Sequence, residues 1–136
     1  MIRYRLHPSF RDWNKPGERQ KNSAWQPPEG LETLYRAVPS REPGRKIEIK
    51  IFRPTGKEGE PLPIILDVHG GGFTRGTYEF DNKRCTFLAM GVPAVVVALN
   101  YRLAPEYRFP AGLGGCVDVW NWMHGEGGRL GGGPGR

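Results

Sequence analysis

The sequence has little of several things, and each shortage narrows the range of functions. Its 136 residues contain two cysteines, Cys85 and Cys116, so no disulfide framework is expected and both thiols are predicted to be free. No apolar stretch approaches the length that crosses a membrane, and residues 1–8 contain no apolar segment of the secretory type. The sequence therefore predicts a cytoplasmic protein without a membrane span.

Serine is also scarce, which bears on catalysis. The chain contains Ser9, Ser23 and Ser40, and no serine follows Ser40.

The formal net charge is +6, but no run of lysine and arginine alternates with aromatic residues in a recognisable module. We therefore predict no nucleic-acid partner, no cofactor and no metal site, and the sequence indicates no particular oligomeric state.

Three zones differ in composition. Residues 1–31 combine four prolines with many charges and two tryptophans, which predicts an irregular basic arm. Residues 32–124 have the pattern of a globular domain. Residues 125–136 are dominated by glycine, which predicts a disordered tail.

The middle zone predicts strands that change in character along the chain. Alternation predicts half-buried antiparallel strands near a sheet edge, whereas continuous apolar runs predict strands buried on both faces. The predicted strands are, in order, Leu34–Val38, the alternating Lys46–Phe52, the apolar Ile64–Val68 and the apolar Pro93–Asn100. Helices are predicted at Asp81–Met90 and Ala111–Met123, the second weakened by three glycines. Strand, helix and strand in this order predict a parallel βαβ unit, and so an α/β fold.

Three consecutive glycines follow the apolar strand at residues 64–68, in the tetrapeptide His69-Gly70-Gly71-Gly72. Backbone amides can converge on one ligand oxygen only where no Cβ blocks the approach, and glycine allows this. Such a group can form an oxyanion hole for acyl transfer. We take Gly71 and Gly72 as the donors and Gly70 as the bend, although a tight structural turn would give the same glycines.

A second segment follows the next strand: Asn100-Tyr101-Arg102-Leu103-Ala104-Pro105-Glu106, with Phe109-Pro110-Ala111 after it. Together with the glycine tetrapeptide, it resembles the hormone-sensitive-lipase branch of the α/β-hydrolases, the fold-3 carboxylesterases. The resemblance covers roughly residues 41–123. It implies an α/β fold that is the N-terminal portion of an α/β-hydrolase sheet, with antiparallel edge strands and then a parallel βαβ unit. The resemblance implies that this sheet is incomplete.

The resemblance also implies roles for individual residues. Gly71 and Gly72 would form the oxyanion hole of a carboxylic-ester hydrolase that acts on a small-molecule ester. His69, Arg102 and Glu106 would give structural support, the histidine through the loop backbone and the other two as an ion pair or hydrogen-bond hub.

The chain departs from the family in two places. The family's nucleophile is a serine in a Gly-x-Ser-x-Gly elbow, and this sequence offers no nucleophile in that context. Gly114-Gly115 stand where the family usually has an acidic pair. We therefore expect a truncated, inactive fragment of a hydrolase. The alternatives are a non-catalytic, receptor-like binding protein of the same fold and a basic interaction protein.

Two carboxylates lie in predicted elements near the glycines. Asp67 falls inside an apolar strand, and a buried carboxylate requires a partner, for which Arg102 and Arg75 are the candidates. Asp118 is predicted to lie on a helix surface or to contact a loop.

Overall fold

Four strands form one mixed sheet in the computed structural model, which describes residues 24–130. The strands are β1 (Leu31–Pro39), β2 (Lys46–Pro54), β3 (Ile64–Val68) and β4 (Val95–Leu99). Their order across the sheet is β1-β2-β4-β3. The pairs β1–β2 and β2–β4 are antiparallel, and β3–β4 is parallel. The predicted succession of antiparallel strands and a parallel βαβ unit is confirmed.

Helices cover both faces of this sheet. They are α1 (Asn82–Gly91) and α2 (Ala111–Glu126), with short 3₁₀ helices at Tyr78–Asp81 and Gly127–Leu130. α1 packs through Cys85 and Ala89 on one face, and α2 packs through Val119 and Met123 on the other. The protein therefore has three layers, as expected for a sheet with a parallel pair.

Strand β4 lies at the centre of both cores. Its five residues are all fully buried. Successive side chains of a strand point to opposite faces, so Val95, Val97 and Leu99 pack toward α2 while Val96 and Ala98 pack toward α1. This two-sided burial explains the continuous apolar run in the sequence.

Two predictions about strand burial are wrong. β2 was expected to be half-buried near a sheet edge, but it lies between β1 and β4, and even Lys50 is fully buried. β3 was expected to be buried on both faces, but Ile64, Ile65 and Leu66 are only half-buried. The reason is that β3 is the last strand of the sheet in the described part of the chain, so its outer edge is open.

The two ends of the chain are described only in part. Residues 1–23 and 131–136 lie outside the described residues, so most of the predicted arm does too. The prediction of a disordered tail from residue 125 is wrong for residues 125–130, because α2 continues to Glu126 and Leu130 is buried against the core. No helix within residues 24–130 is long and apolar enough to span a membrane.

Candidate functional site

The glycine loop, residues 69–76, leaves the end of β3 and turns sharply. Gly71 has a φ of 137°, and Gly72 and Phe73 both have a φ of 61°. A Cβ on Gly71 would overlap the carbonyl oxygen of Arg75, so only glycine fits there. The Gly71 carbonyl accepts the amides of Thr74 and Arg75, each at 3.2 Å. The turn therefore lies at residues 71–75, and Gly70, predicted as the bend, has a φ that any residue can adopt.

The turn leaves several neighbouring amides without an acceptor in the described part of the chain, among them those of Gly71 and Gly72. Among residues 24–130, no hydrogen-bond acceptor meets the N–H groups of Gly71 and Gly72. Gly72 is exposed, and the next side chain, Phe73, is 76% exposed despite its left-handed backbone. The loop thus presents two backbone donors beside an exposed aromatic ring at the end of a parallel strand.

The segment that follows β4 holds the glycine loop at three points. The Tyr101 hydroxyl donates to the His69 carbonyl at 2.8 Å, where the loop begins. The Ala104 amide donates to the Phe73 carbonyl at 2.8 Å, at the turn itself. Asn100 holds the far end, since its Oδ1 accepts the Thr77 hydroxyl and the Tyr78 amide, both at 3.0 Å.

His69 contacts the loop backbone and the segment after β4. Its Nδ1 lies 2.8 Å from the Gly70 carbonyl oxygen, and its ring stacks on Tyr101 with 4.3 Å between ring centroids. The side chain is buried. This placement suits a residue that fixes the shape of the loop.

Arg102 and Glu106 were expected to act as an ion pair or a hydrogen-bond hub, and within residues 24–130 they are not paired with each other. Arg102 instead pairs with Glu42 in the β1–β2 turn, with 2.6 Å between Nη2 and Oε2, and its guanidinium lies over the Tyr107 ring. Glu106 is exposed. Arg102 therefore fastens this segment to the β1–β2 turn.

Asp67 also has a partner other than those predicted. Its buried carboxylate accepts Arg84, at 2.6 Å from Nη2 and 3.1 Å from Nε, rather than Arg102 or Arg75. Arg84 lies in the first turn of α1 and also contacts Asp81 at 2.9 Å. Burial and the nearby Asp67 charge raise the pKa of Asp81. The i,i+3 spacing predicts the Asp81–Arg84 contact, but no local spacing predicts that Arg84 also reaches Asp67.

Asp118 contacts a loop, which is one of the two predicted options. Its carboxylate accepts the Ser40 hydroxyl at 2.7 Å and Arg41 Nε at 2.5 Å, so it fastens α2 to the β1–β2 turn. Burial raises the pKa of Asp118, but hydrogen bonds from Arg41 and Ser40 outweigh burial and hold the pKa below its usual value.

A mixed sheet covered on both faces, with a glycine loop after its parallel strand, is the architecture of an α/β-hydrolase N-terminal region. A family model described as "alpha/beta hydrolase fold" matches residues 65–136, just over half of the chain. The chain therefore belongs to the α/β-hydrolase fold family, and the resemblance to its fold-3 branch is confirmed.

Individual relatives are esterases. The chain is 41% identical over 95 residues to 3-O-acetylpapaveroxine carboxylesterase from Papaver somniferum. The aligned region covers 65% of this chain and 30% of that enzyme. An esterase structure from Pyrobaculum calidifontis matches with a TM-score of 0.68 and 37% identity, over 74% of this chain and 32% of the other. A bacterial heroin esterase matches with a TM-score of 0.78 and 27% identity, over 93% and 41%. The chain thus spans about a third of the length of these proteins.

Proposed function

We propose that this chain supplies the oxyanion hole of a carboxylic-ester hydrolase. The observation that carries the proposal is the pair of adjacent amides, Gly71 and Gly72, which have no acceptor among residues 24–130 and lie in a turn braced by Tyr101 and Ala104. When a nucleophile attacks an ester carbonyl, the carbonyl oxygen gains negative charge. Two fixed N–H donors stabilise that charge more than they stabilise the uncharged ester.

The rigidity of the loop matters as much as its donors. Donors that are already oriented need not reorganise as charge develops, which is why they lower the barrier. The left-handed backbone of Gly71, Gly72 and Phe73 is held by hydrogen bonds at both ends of the loop and at its turn. The fold therefore fixes the amides before substrate arrives.

Hydrolysis also needs an activated nucleophile, and we infer that residues 24–130 do not provide one. The Ser40 hydroxyl donates to Asp118, and the Thr77 hydroxyl donates to Asn100. Cys85 is fully buried, and burial together with Asp67 raises the pKa of its thiol, which disfavours the reactive thiolate. On this inference residues 24–130 supply part of a hydrolase site and do not hydrolyse an ester by themselves.

The proposed substrate is a small-molecule ester with a short acyl group. The support is the name of the poppy relative, a carboxylesterase of an O-acetyl compound, together with membership of the family. The exposed Phe73 ring beside the two amides would contact an apolar part of such an ester.

Two proteins test the proposal with p-nitrophenyl acetate and butyrate. The first is the 136-residue chain, for which we expect no turnover above a boiled control. The second is a chimera in which this chain replaces the matching third of the Pyrobaculum calidifontis esterase, for which we expect turnover. Saturable turnover by the chain alone would contradict the proposed inactivity, and a folded chimera without turnover would contradict the proposed role of the loop.

A further inference from the structure

Lys50 is a charged residue in an unusual place, the middle of β2. Its side chain is 0% exposed. Nζ lies 2.9 Å from Glu79 Oε2 and 2.8 Å from Asn82 Oδ1. It also lies 4.6 Å from the centroid of the Trp25 ring and 5.0 Å from that of Tyr35. An ammonium group inside a protein is retained only when it is paired, and here one carboxylate, one amide and three rings, the third being Phe52 at 5.2 Å, surround it.

Glu79 ties this group to the end of the glycine loop. It lies in the 3₁₀ helix that directly follows Thr77, the residue held by Asn100. Glu79 Oε1 accepts the Tyr35 hydroxyl at 3.0 Å. Glu79 Oε2, the oxygen bonded to Lys50, also accepts Asn82 Nδ2 at 2.7 Å. Burial raises the pKa of Glu79, but the hydrogen bonds from Asn82, Lys50 and Tyr35 outweigh it, so the pKa lies below its usual value.

The contact spans two layers of the fold. Lys50 belongs to an interior strand, paired with both β1 and β4, and so has little freedom to move. Glu79 belongs to a short 3₁₀ helix in which no residue is fully buried and the Thr77 side chain gives no capping hydrogen bond. The helix is also held at Tyr78, whose amide donates to Asn100, and at Asp81, which contacts Arg84. The Lys50–Glu79 contact adds a charged link from the helix to an interior strand of the sheet.

We infer that Lys50 is a positioning residue for the glycine loop, acting through Glu79 on the end of the loop at Thr77. The inference rests on the proposed function in that the loop is taken as the oxyanion hole. Three braces come from the segment after β4, at the start, the turn and the far end of the loop. The Lys50–Glu79 contact is a separate brace, because Lys50 lies in β2 and not in the segment after β4.

The test is hydrogen–deuterium exchange of the full chain, read by segment, in the double variant Lys50→Met/Glu79→Gln. Replacing both members of a buried ion pair with neutral residues of similar size often leaves overall stability little changed. We expect the Tyr78 and Phe80 amides, whose acceptors are Asn100 and Thr77, to exchange about tenfold faster. Exchange in β4 and α2 should change less than twofold.

Asp118→Asn is the matched control, because it also removes a buried charge that is paired with a basic residue. It should accelerate exchange in the β1–β2 turn and leave residues 76–81 unchanged. Unchanged exchange of residues 76–81 in the double variant would overturn the inference. Equal acceleration in every segment would overturn it as well, since Lys50 would then support the whole fold. Exchange does not depend on ester turnover, so this result stands apart from the test of the proposed function.

Discussion

Three glycines in the first turns of α2 have different surroundings, and alanine substitutions should separate them. Gly114 has no atom within 4 Å of the position that a Cβ would take. At Gly115 the new methyl would lie 3.5 Å from Arg45 Nη2 and 3.8 Å from Ile47 Cδ1, which is ordinary contact. At Gly112 it would lie 2.7 Å from the Arg102 carbonyl oxygen. The added methyl therefore lies in open space at Gly114, in ordinary contact at Gly115 and in overlap with the backbone at Gly112.

The expected free energies follow from these distances. Glycine inside a helix is less stable than alanine by about 0.8–1.0 kcal/mol. Gly114→Ala should gain about that amount, and Gly115→Ala should gain at least as much because its methyl also touches Ile47. Gly112→Ala must displace a backbone carbonyl, and overpacking costs about 1–3 kcal/mol. Its net effect should be a loss of about 1 kcal/mol.

Urea unfolding followed by circular dichroism at 222 nm measures all three variants. With a slope of about 2 kcal/mol per molar urea, a change of 1 kcal/mol moves the midpoint by about 0.5 M. The midpoint should rise for Gly114→Ala and Gly115→Ala and fall for Gly112→Ala. Equal shifts of one sign at the three positions would contradict these expectations, since helix propensity alone would then decide the outcome.

Three further predictions follow from buried groups. Asp118→Asn should lower stability by about 1–2 kcal/mol at pH 7, a discounted figure because the paired arginine is exposed. Because the folded-state pKa of Asp118 is lowered, this stabilisation is present above about pH 4 and is lost as the pH falls through the folded pKa, so the variants should converge near pH 2 in urea titrations. Tyr101→Phe should lower the free energy of unfolding by about 1–2 kcal/mol, because a loop carbonyl loses its donor while ring stacking remains. Ellman's reagent should label the half-buried Cys116 in the native protein and reach the buried Cys85 only on unfolding.

Each of these has a contradicting result. A difference in the free energy of unfolding between Asp118→Asn and the parent chain that stays constant at all pH values would mean that the partners of Asp118 do not lower its pKa. No effect of Tyr101→Phe would mean that the hydroxyl does not brace the loop. Native labelling of Cys85 at the rate of Cys116 would mean that α1 does not cover it.

The features that could be predicted from the sequence depend on neighbours along the chain. The apolar run of β4, the helix that begins after Asp81 and the glycines after β3 each have a local physical cause. The order of strand, helix and strand then determined the parallel pair. A recognisable motif on either side of α1 supplied the family.

The features that could not be predicted depend on which elements meet. Alternation in β2 predicted a half-buried strand near a sheet edge, but Lys50 is fully buried and pairs with Glu79, 29 residues later. In the same way, Asp67 pairs with Arg84 because α1 returns over the end of β3. Glycine content predicted a disordered end, yet residues 127–130 form a 3₁₀ helix and Leu130 packs on the core. Such partners follow from tertiary placement rather than from composition.

The assignment of the Gly71 and Gly72 amides to an oxyanion hole is tested by the kcat of the chimeric esterase with Gly71→Ala, compared with Gly70→Ala. A Cβ on Gly71 would overlap the Arg75 carbonyl and displace both proposed donors, whereas Gly70 has open space and a φ available to any residue. Losing an oxyanion donor costs about 10²–10³ in kcat. We predict a loss of that size for Gly71→Ala at nearly unchanged KM, and a change within about threefold for Gly70→Ala, where no donor is lost. Equal kcat values for the two variants would contradict the assignment of these amides to the oxyanion hole.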